Sequence, residues 1–324
     1  MYRARPHPAA QPISHLGCAD PGASGDRANQ QLRHADLGYA RRAVSHTLAI
    51  IIVAWNVRPL LEGCLRSLTE ALGELAAHII VVDNASADGT AAWVRTAFPQ
   101  VELIANRENL GYARANNLAL RRVLDEGEAE YVWLLNPDTV VHPNAPQALL
   151  DFMRTHPRCG LCGPKLLNPD GSLQHSAFAL PGLVQLLLET QPLLWRFRNT
   201  WLDGRYAPQR YEGAPFRVGH PLGAAMLARV AAVREVGLLD EAFALYCEEI
   251  DWAVRMQRAG WEVWCVPQAV VTHYGGASSQ QASARAERLK WQSRQHYYRK
   301  HYAPLKRWLA LRLVPAPYRG ERAG

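Results

Sequence analysis

"TLAIIIVAWNVRPLLEGCLRSLTEALGELAAHIIVVDNAS", residues 47–86, sets two short apolar runs around a stretch of different period. Leu48 to Val53 is continuously apolar, which suits a strand buried on both faces of a parallel sheet. Then apolar residues recur at 60, 61, 64, 65, 68 and 72, the spacing of a helix with one buried face. "HIIVVD" repeats the first run and stops at Asp83. Strand, helix and strand at these lengths make a βαβ unit, whose two strands lie parallel.

The alternation continues down the chain. "DGTAAWVRTAF" (88–98) reads as a helix with Asp88 in a capping position, and "VELIAN" (101–106) as a third strand. "NLGYARANNLALRRVL" (109–124) is a third helix and "EYVWLLNPD" (130–138) a fourth strand. "NAPQALLDFMRTH" (144–156) is helical after His142-Pro143. The fold class is therefore α/β, with a Rossmann-like, mostly parallel central sheet flanked by helices. Ligands of such sheets sit beyond the carboxyl ends of the strands. Asn56, Asp83 and Asp138 all lie at such ends.

From about residue 160 the alternation loosens. "PKLLNPDGSLQHSAFALPG" (164–182) holds a turn at Asn168-Pro169-Asp170-Gly171. "FRVGHPLGAAMLARVAAV" (216–233) reads as a strand entering a helix, and "CEEIDWAVRMQRAGWEVWCVP" (247–267) as a helix stopped by Gly260, then a strand. "QQASARAERLKWQSRQHYYRKHY" (280–302) is helical and basic. Residues 1–45, rich in Ala, Pro, Gly, Gln, Ser and His, read as a disordered extension. The expected organisation is that extension, a domain over 46–279 in two halves meeting near 160, and a basic helical segment over 280–324.

The 324 residues are 48% hydrophobic and 20% charged, enough for a substantial core. No apolar run reaches the roughly 18 residues of a spanning helix. The amino terminus has arginines without a following apolar block, unlike a secretory signal, so a cytoplasmic protein is expected. Cysteines stand at 18, 64, 159, 162, 247 and 265, and the single CxxC, Cys159-Gly-Leu-Cys162, reads as small residues entering a buried strand rather than zinc ligands. The net charge of +7 is concentrated: residues 277–324 hold eleven Lys/Arg against two Asp/Glu, leaving −2 for the rest. Such a tail suits an anionic surface or a solvated helix face. Trp291, Tyr297, Tyr298, Tyr302 and Trp308 interleave with its cations, as in interfacial segments.

Several residues carry chemistry. Asp83 ends a strand where a carboxylate can accept from a base or ribose, though with Asn84, Ser86 and Asp88 the stretch taken alone reads first as a capped turn. In "NRENLGYARANN" (106–117), Gly111 allows close backbone approach at a helix start, with Asn109, Arg114, Asn116 and Asn117 as donors. It is neither GxGxxG nor a P-loop. Asn136-Pro137-Asp138 offers one hard carboxylate for Mg2+ or Mn2+ on a diphosphate, or a plain turn. Glu248, Glu249 and Asp251 cluster at a helix start among Phe243, Leu245, Tyr246 and Trp252. Repulsion and burial there would raise a carboxyl towards general-base duty. His273 ends a strand before a Gly-rich turn and could face a metal or phosphate.

In order, "AIIIVAWN", "VVDNASADGT", "NLGYARANN", "LLNPD", "GPKLLNPDGS", "GAAMLARVAAVREVGLLDEAF", "EEID" and "THYGGAS" resemble the inverting glycosyltransferases of family 2, which have the GT-A fold. The narrower likeness is to the bacterial rhamnosyltransferase-type branch that builds cell-surface polysaccharides, over roughly residues 47–302. The resemblance implies roles. Asn56, Asp83, Asn109, Gly111 and Asn116 would line the nucleoside pocket. Asp138 would be the last acid of the Asp-X-Asp metal motif, with His273 as a late metal or phosphate ligand and Mg2+ or Mn2+ as cofactor. Glu249 would be the base, with Glu248 as the alternative and Asp251 and Trp252 on the acceptor side. Asn136 replaces the first acid of the metal motif, leaving it one carboxylate. The donor would be a nucleotide-diphosphate sugar, dTDP-rhamnose among the candidates. The acceptor would be a saccharide, free or on a polyprenyl diphosphate. The basic segment would touch an anionic inner membrane face, and no nucleic acid is expected. Two rivals fit less well. A sugar-nucleotide pyrophosphorylase needs a Gly-rich loop after the first strand, where "VAWNVRPLLEGC" has none. A non-catalytic sugar- or nucleic-acid-binding module finds no recognisable motif.

Overall fold

The computed structural model describes residues 47–197, 200–243, 245–275 and 283–319; the extension over 1–45 lies outside the described residues. The opening unit forms as its periods require: β1 (Leu48–Ala54), α1 (Arg58–Leu72) and β2 (Ala77–Asp83). α2 (Thr90–Ala97), β3 (Glu102–Ala105), α3 (Tyr112–Glu126) and β4 (Tyr131–Leu135) follow. Next come β5 (Thr139–Val141), α4 (Ala145–Thr155), β6 (Cys159–Leu167), β7 (Leu173–Gln174), β8 (Ala177–Phe178) and α5 (Leu183–Thr190). Past 3₁₀ turns at 192–197 and 201–203 lie β9 (Phe216–Arg217), β10 (His220–Pro221), β11 (Ala225–Arg229) and α6 (Val230–Val236). α7 (Glu248–Arg258), β12 (Glu262–His273), α8 (Ser283–His301) and α9 (Pro304–Leu313) complete the order.

β1 pairs in parallel with β2 on one side and β4 on the other, and β3 lies beyond β2. The chain thus builds outward from β1 to β3, then returns to β1's other flank. Loops at such a switch point diverge and leave a crevice at the carboxyl ends of the strands. β1 alternates as a doubly covered strand must: Leu48, Ile50 and Ile52 join the α1 and α4 side, Ala49 and Ile51 the α3 side. Each fully buried Ile contributes about 1.5–3 kcal/mol.

The second half of the sheet is mixed. β11 runs antiparallel between β4 and β6, β12 runs parallel to β6, and β5 closes the far edge antiparallel to β12. Between β4 and β5 the chain crosses from the middle of the sheet to that edge through Asn136-Pro137-Asp138. Pro137 has no N–H for a ladder, so it suits this exit. The crossing sets Thr139 opposite His273 and brings Asp138 to the end of β12. Cys159 and Cys162 are buried free thiols in β6.

The basic carboxyl-terminal segment packs on the body. Trp291, Tyr297, Tyr298 and Tyr302 are buried in a cluster with Phe243, Ile250 and Val254, which corrects their expected interfacial place. Of the five aromatics expected there, only Trp308 is exposed. A basic helix with interleaved aromatics has the same pattern whether its apolar stripe meets lipid or other helices.

Candidate active site

The strand ends are tied by side chains before any ligand arrives. Asn56, at a φ of 53°, donates its N–H to Ser86 Oγ (3.0 Å) and accepts from Ala87 N–H through Oδ1 (2.7 Å). The loop after β1 is thus bound to the loop after β2. Asp88 accepts from Thr90 and from Arg58 N–H (3.0 Å), fixing that loop to α1. Asp83 is buried at the end of β2 and accepts from Ser86 N–H at 3.3 Å. Asn84 knits the next loop: its Oδ1 accepts from Asn106 Nδ2 and Leu110 N–H, and its Nδ2 donates to Asn109 Oδ1 at 2.8 Å. Asn109 also accepts from Gly111 N–H, and Gly111 takes a φ of 78° at the start of α3. Asn116 is buried and donates to Tyr112 O within α3.

At the end of β4, Asn136 N–H donates to Ala224 O (2.8 Å) and Tyr274 N–H to Asp138 O (2.9 Å). Asp138 Oδ1 faces His273 Nε2 at 3.4 Å, and both residues are buried. Gln174 decides how that imidazole sits. Its Nε2 donates to Asn168 Oδ1 (2.9 Å) and to His273 O (3.2 Å), so its Oε1 is the acceptor facing His273 Nδ1 at 2.7 Å. Nδ1 therefore carries a hydrogen, and Nε2 is the ring nitrogen directed at the carboxylate. A carboxylate oxygen and a ring nitrogen so placed are donor types that a divalent ion takes, with the other ring nitrogen held from behind by Gln174.

α7 begins with the two glutamates. The residues before it, Tyr246 and Cys247, take φ values of 65° and 72°, a strained pair of left-handed non-glycine residues beside the site. Glu248 and Glu249 are buried, and each has an Oε2 with no hydrogen-bond partner. Burial, then the charge of Glu249, pushes Glu248 well above the ordinary carboxyl range. Burial also raises Glu249, but the Arg294 guanidinium of α8 opposes the rise. Both carboxyls are thus raised, with Glu249 the one nearer a compensating cation, which suits it to accept a proton beside a second acid.

Tyr112 joins the two halves. Its hydroxyl donates to Gly223 O (3.0 Å), and burial followed by the charges of Glu248, Glu249 and Asp138 raises its pKa. Glu248, Glu249 and Asp138 thus all lie within electrostatic reach of one phenol. Gly223 lies against Glu249, whose Cβ and Cγ would be 3.7 Å from a methyl placed there.

Among the sequence candidates, the structure gathers Asp138, His273, Glu248 and Glu249, with Asn56 and Asp83 on the neighbouring strand exits. Asp251 and Trp252 do not join them. Asp251 is fully buried, with Oδ2 2.7 Å from Arg255 and Oδ1 2.7 Å from both Lys300 and His301. Burial alone would raise its carboxyl; hydrogen bonds from His301 and Lys300 and the Arg255 charge hold it far below the usual range. Trp252 is core, with Nε1 donating to Gly237 O at 2.9 Å. Sequence reasoning missed Tyr112, Gln174, Gly223 and Arg294. Only Gln174 left a trace, a polar residue soon after the Asn-Pro-Asp-Gly turn. Among the described residues no group of three or more His, Cys, Asp and Glu could hold a metal ion alone.

Comparison with known proteins gives the family and the fold. The family described as Glycosyl transferase family 2 matches residues 49–201. An N-acetylglucosaminyl-diphospho-decaprenol L-rhamnosyltransferase of Mycobacterium tuberculosis is 32% identical over 243 residues, covering 73% of this chain and 78% of that protein. A low-salt glycan biosynthesis hexosyltransferase of Haloferax volcanii is 26% identical, covering 65% of this chain and 62% of that one. Among solved structures, a Pyrobaculum calidifontis mannosyltransferase with GDP-Man and Mn2+ superposes with a TM-score of 0.54 at 17% identity, covering 83% of this chain and 72% of that one. A GalNAc-T7 with UDP, GalNAc and Mn2+ gives 0.53 at 15% identity, covering 79% of this chain and 50% of that one.

Proposed function

Because the chain belongs to glycosyltransferase family 2, has the GT-A fold and resembles a rhamnosyltransferase, we propose that it moves a hexose from a nucleotide-diphosphate sugar to a hydroxyl of a lipid-carried saccharide, inverting the anomeric carbon. The observation that carries this reading is the glutamate pair at the start of α7, buried, with one unpartnered oxygen each. Such oxygens are costly in an inert core. Glu249 takes the proton of the acceptor hydroxyl. That oxygen attacks the anomeric carbon from the side opposite the diphosphate, whose bond to the sugar breaks with the electron pair leaving on phosphate. Glu248, raised by burial and by the charge of Glu249, stands beside it as the second acid of the pair. General-base action of this kind contributes roughly 10² to 10⁴ in rate.

Asp83, with Asn56 beside it, receives the nucleoside, and Asn109 and Gly111 hold the pocket's far loop. Asp138 and His273 fit a hard divalent ion, Mg2+ or Mn2+, because a carboxylate oxygen and an imidazole nitrogen meet there 3.4 Å apart. Such an ion, held by Asp138 and His273, would supply charge neutralisation for the leaving group. The mycobacterial relative, named for N-acetylglucosaminyl-diphospho-decaprenol, supports an acceptor on a polyprenyl diphosphate in cell-surface glycan synthesis at the inner membrane face. dTDP-rhamnose is the first donor to try.

The test is transfer from a panel of dTDP-, UDP- and GDP-sugars, with stereochemistry read by NMR. Glu249→Gln should lose transfer by about 10² or more while donor binding survives. Wild-type turnover in that variant, or retention of configuration, would refute the reading. Asp138→Ala should lose metal-dependent donor binding.

A further inference from the structure

Among the described residues eight large apolar side chains are exposed. Tyr246 and Tyr274 border the active site. The other six lie on α9, on α5, or on the 3₁₀ segments after α5. α9 (PLKRWLALRL) is anchored by buried Ala310, with Leu311 and Leu313 packed on the cluster that includes α5 Leu186. Leu305, Trp308 and Leu309 face outward at 71%, 53% and 38% exposure, spaced i, i+3 and i+4. Val184 of α5, Leu193 and Trp201 are exposed too, and α5 packs against α9 and both 3₁₀ segments.

On α9 itself the charge has one sign, while Glu189 of α5 and Asp203 beside Trp201 are paired with Lys290, Arg294 and Arg205. α9 carries Lys306, Arg307 and Arg312 and no acid, and no carboxylate pairs with these three among the described residues. Lys306 lies over the Tyr302 ring at 4.0 Å and Arg312 over the Trp308 ring at 4.8 Å. Aliphatic stems thus cover apolar surface while charges sit at its edge. Beside the first turn of α9 opens a groove of about 340 Å³, with Leu180, Pro181, Val254 and Tyr302 as apolar wall and Arg258 and Lys306 as cations. A second copy would set like charge against like. An anionic bilayer matches both the shallow apolar stripe and its cationic border.

We propose that α9, with the exposed Val184, Leu193 and Trp201 beside it, is the face by which this protein docks on an anionic phospholipid bilayer. Leu305, Trp308 and Leu309 enter the headgroup boundary, and Lys306, Arg307 and Arg312 meet lipid phosphates. The proposal deepens the lipid-carried-acceptor reading and rests on it for its purpose, but substrate-free vesicle binding is measured apart from turnover.

The experiment is co-sedimentation of the full-length protein with vesicles of phosphatidylcholine alone or mixed with phosphatidylglycerol, at low and high salt. Binding should require the anionic lipid and fall with salt. Leu305→Ser with Trp308→Ser, and separately Lys306→Ser with Arg307→Ser and Arg312→Ser, should each weaken it by about tenfold or more. Arg95→Ser on α2 should bind as wild type. Transfer to a water-soluble acceptor saccharide should be unchanged in every variant. Absent binding, equal binding to neutral vesicles, variants that bind as wild type, or soluble transfer lost in parallel would each overturn the proposal. So would sedimentation velocity showing a dimer that Leu305→Ser with Trp308→Ser dissolves.

Discussion

Gln174 touches neither proposed substrate, yet it decides which nitrogen His273 shows to Asp138. Replacing it with Leu removes the acceptor that keeps the hydrogen on Nδ1. Partners of this kind are worth about 10- to 100-fold in metal affinity. Gln174→Leu should therefore weaken Mn2+ binding by that factor in the presence of nucleoside diphosphate, read by electron paramagnetic resonance. The thermal midpoint should barely move, and unchanged Mn2+ affinity would refute the role. Asp138, Glu248 and Glu249 were legible because each sits at a strand end or helix start with a chemical signature. Gln174, Tyr112 and Arg294 were not. Their partners lie far away in sequence, 99 residues for Gln174–His273 and 111 for Tyr112–Gly223, and no local period encodes such pairings.

α7 holds the chemistry at its first turn and an anchor one turn on. Asp251 binds Arg255 on its own helix and Lys300 and His301 on α8. Removing one partner of a buried ionic cluster leaves the others unpaired, at about 3–5 kcal/mol. Asp251→Ala should lose stability of that order in denaturant unfolding, whereas Glu249→Gln should not. A loss under about 1 kcal/mol would mean water already enters the cluster. The elements with long periods, such as β1, α1 and α3, were readable. β5 was not, because three residues after a proline turn show no period. The antiparallel entry of β11 depends on pairing with β4 and β6, which its sequence does not record.

For the molecule as a whole, buried titrating groups pull stability in opposite directions. Glu248 and Glu249 are raised in the fold, so their contribution is fullest below the ordinary carboxyl value of about 4.3 and declines as pH rises through their folded values. Asp251 is depressed, so its contribution is present above its unfolded value and lost as pH falls through the folded one. His220, pushed down to about 4 by burial, loses stability as pH falls below its unfolded 6.5. The difference between Glu248→Gln and wild type isolates one of these. The variant's advantage in thermal midpoint should be near zero at pH 4 and grow towards pH 8. A flat difference would mean that Glu248 is not raised.

The network at Asp251 also fixes what α8 can do during turnover. Lifting α8 off α7 would take Lys300 and His301 away from Asp251 and leave Arg255 as its one remaining cation among the described residues. At about 3–5 kcal/mol, the lifted form amounts to between one molecule in a hundred and one in ten thousand at any instant. Substrates that had to wait for that opening would see only this fraction of the enzyme. Traffic past Glu249 is therefore expected to run over the strand exits, with α8 as a standing wall.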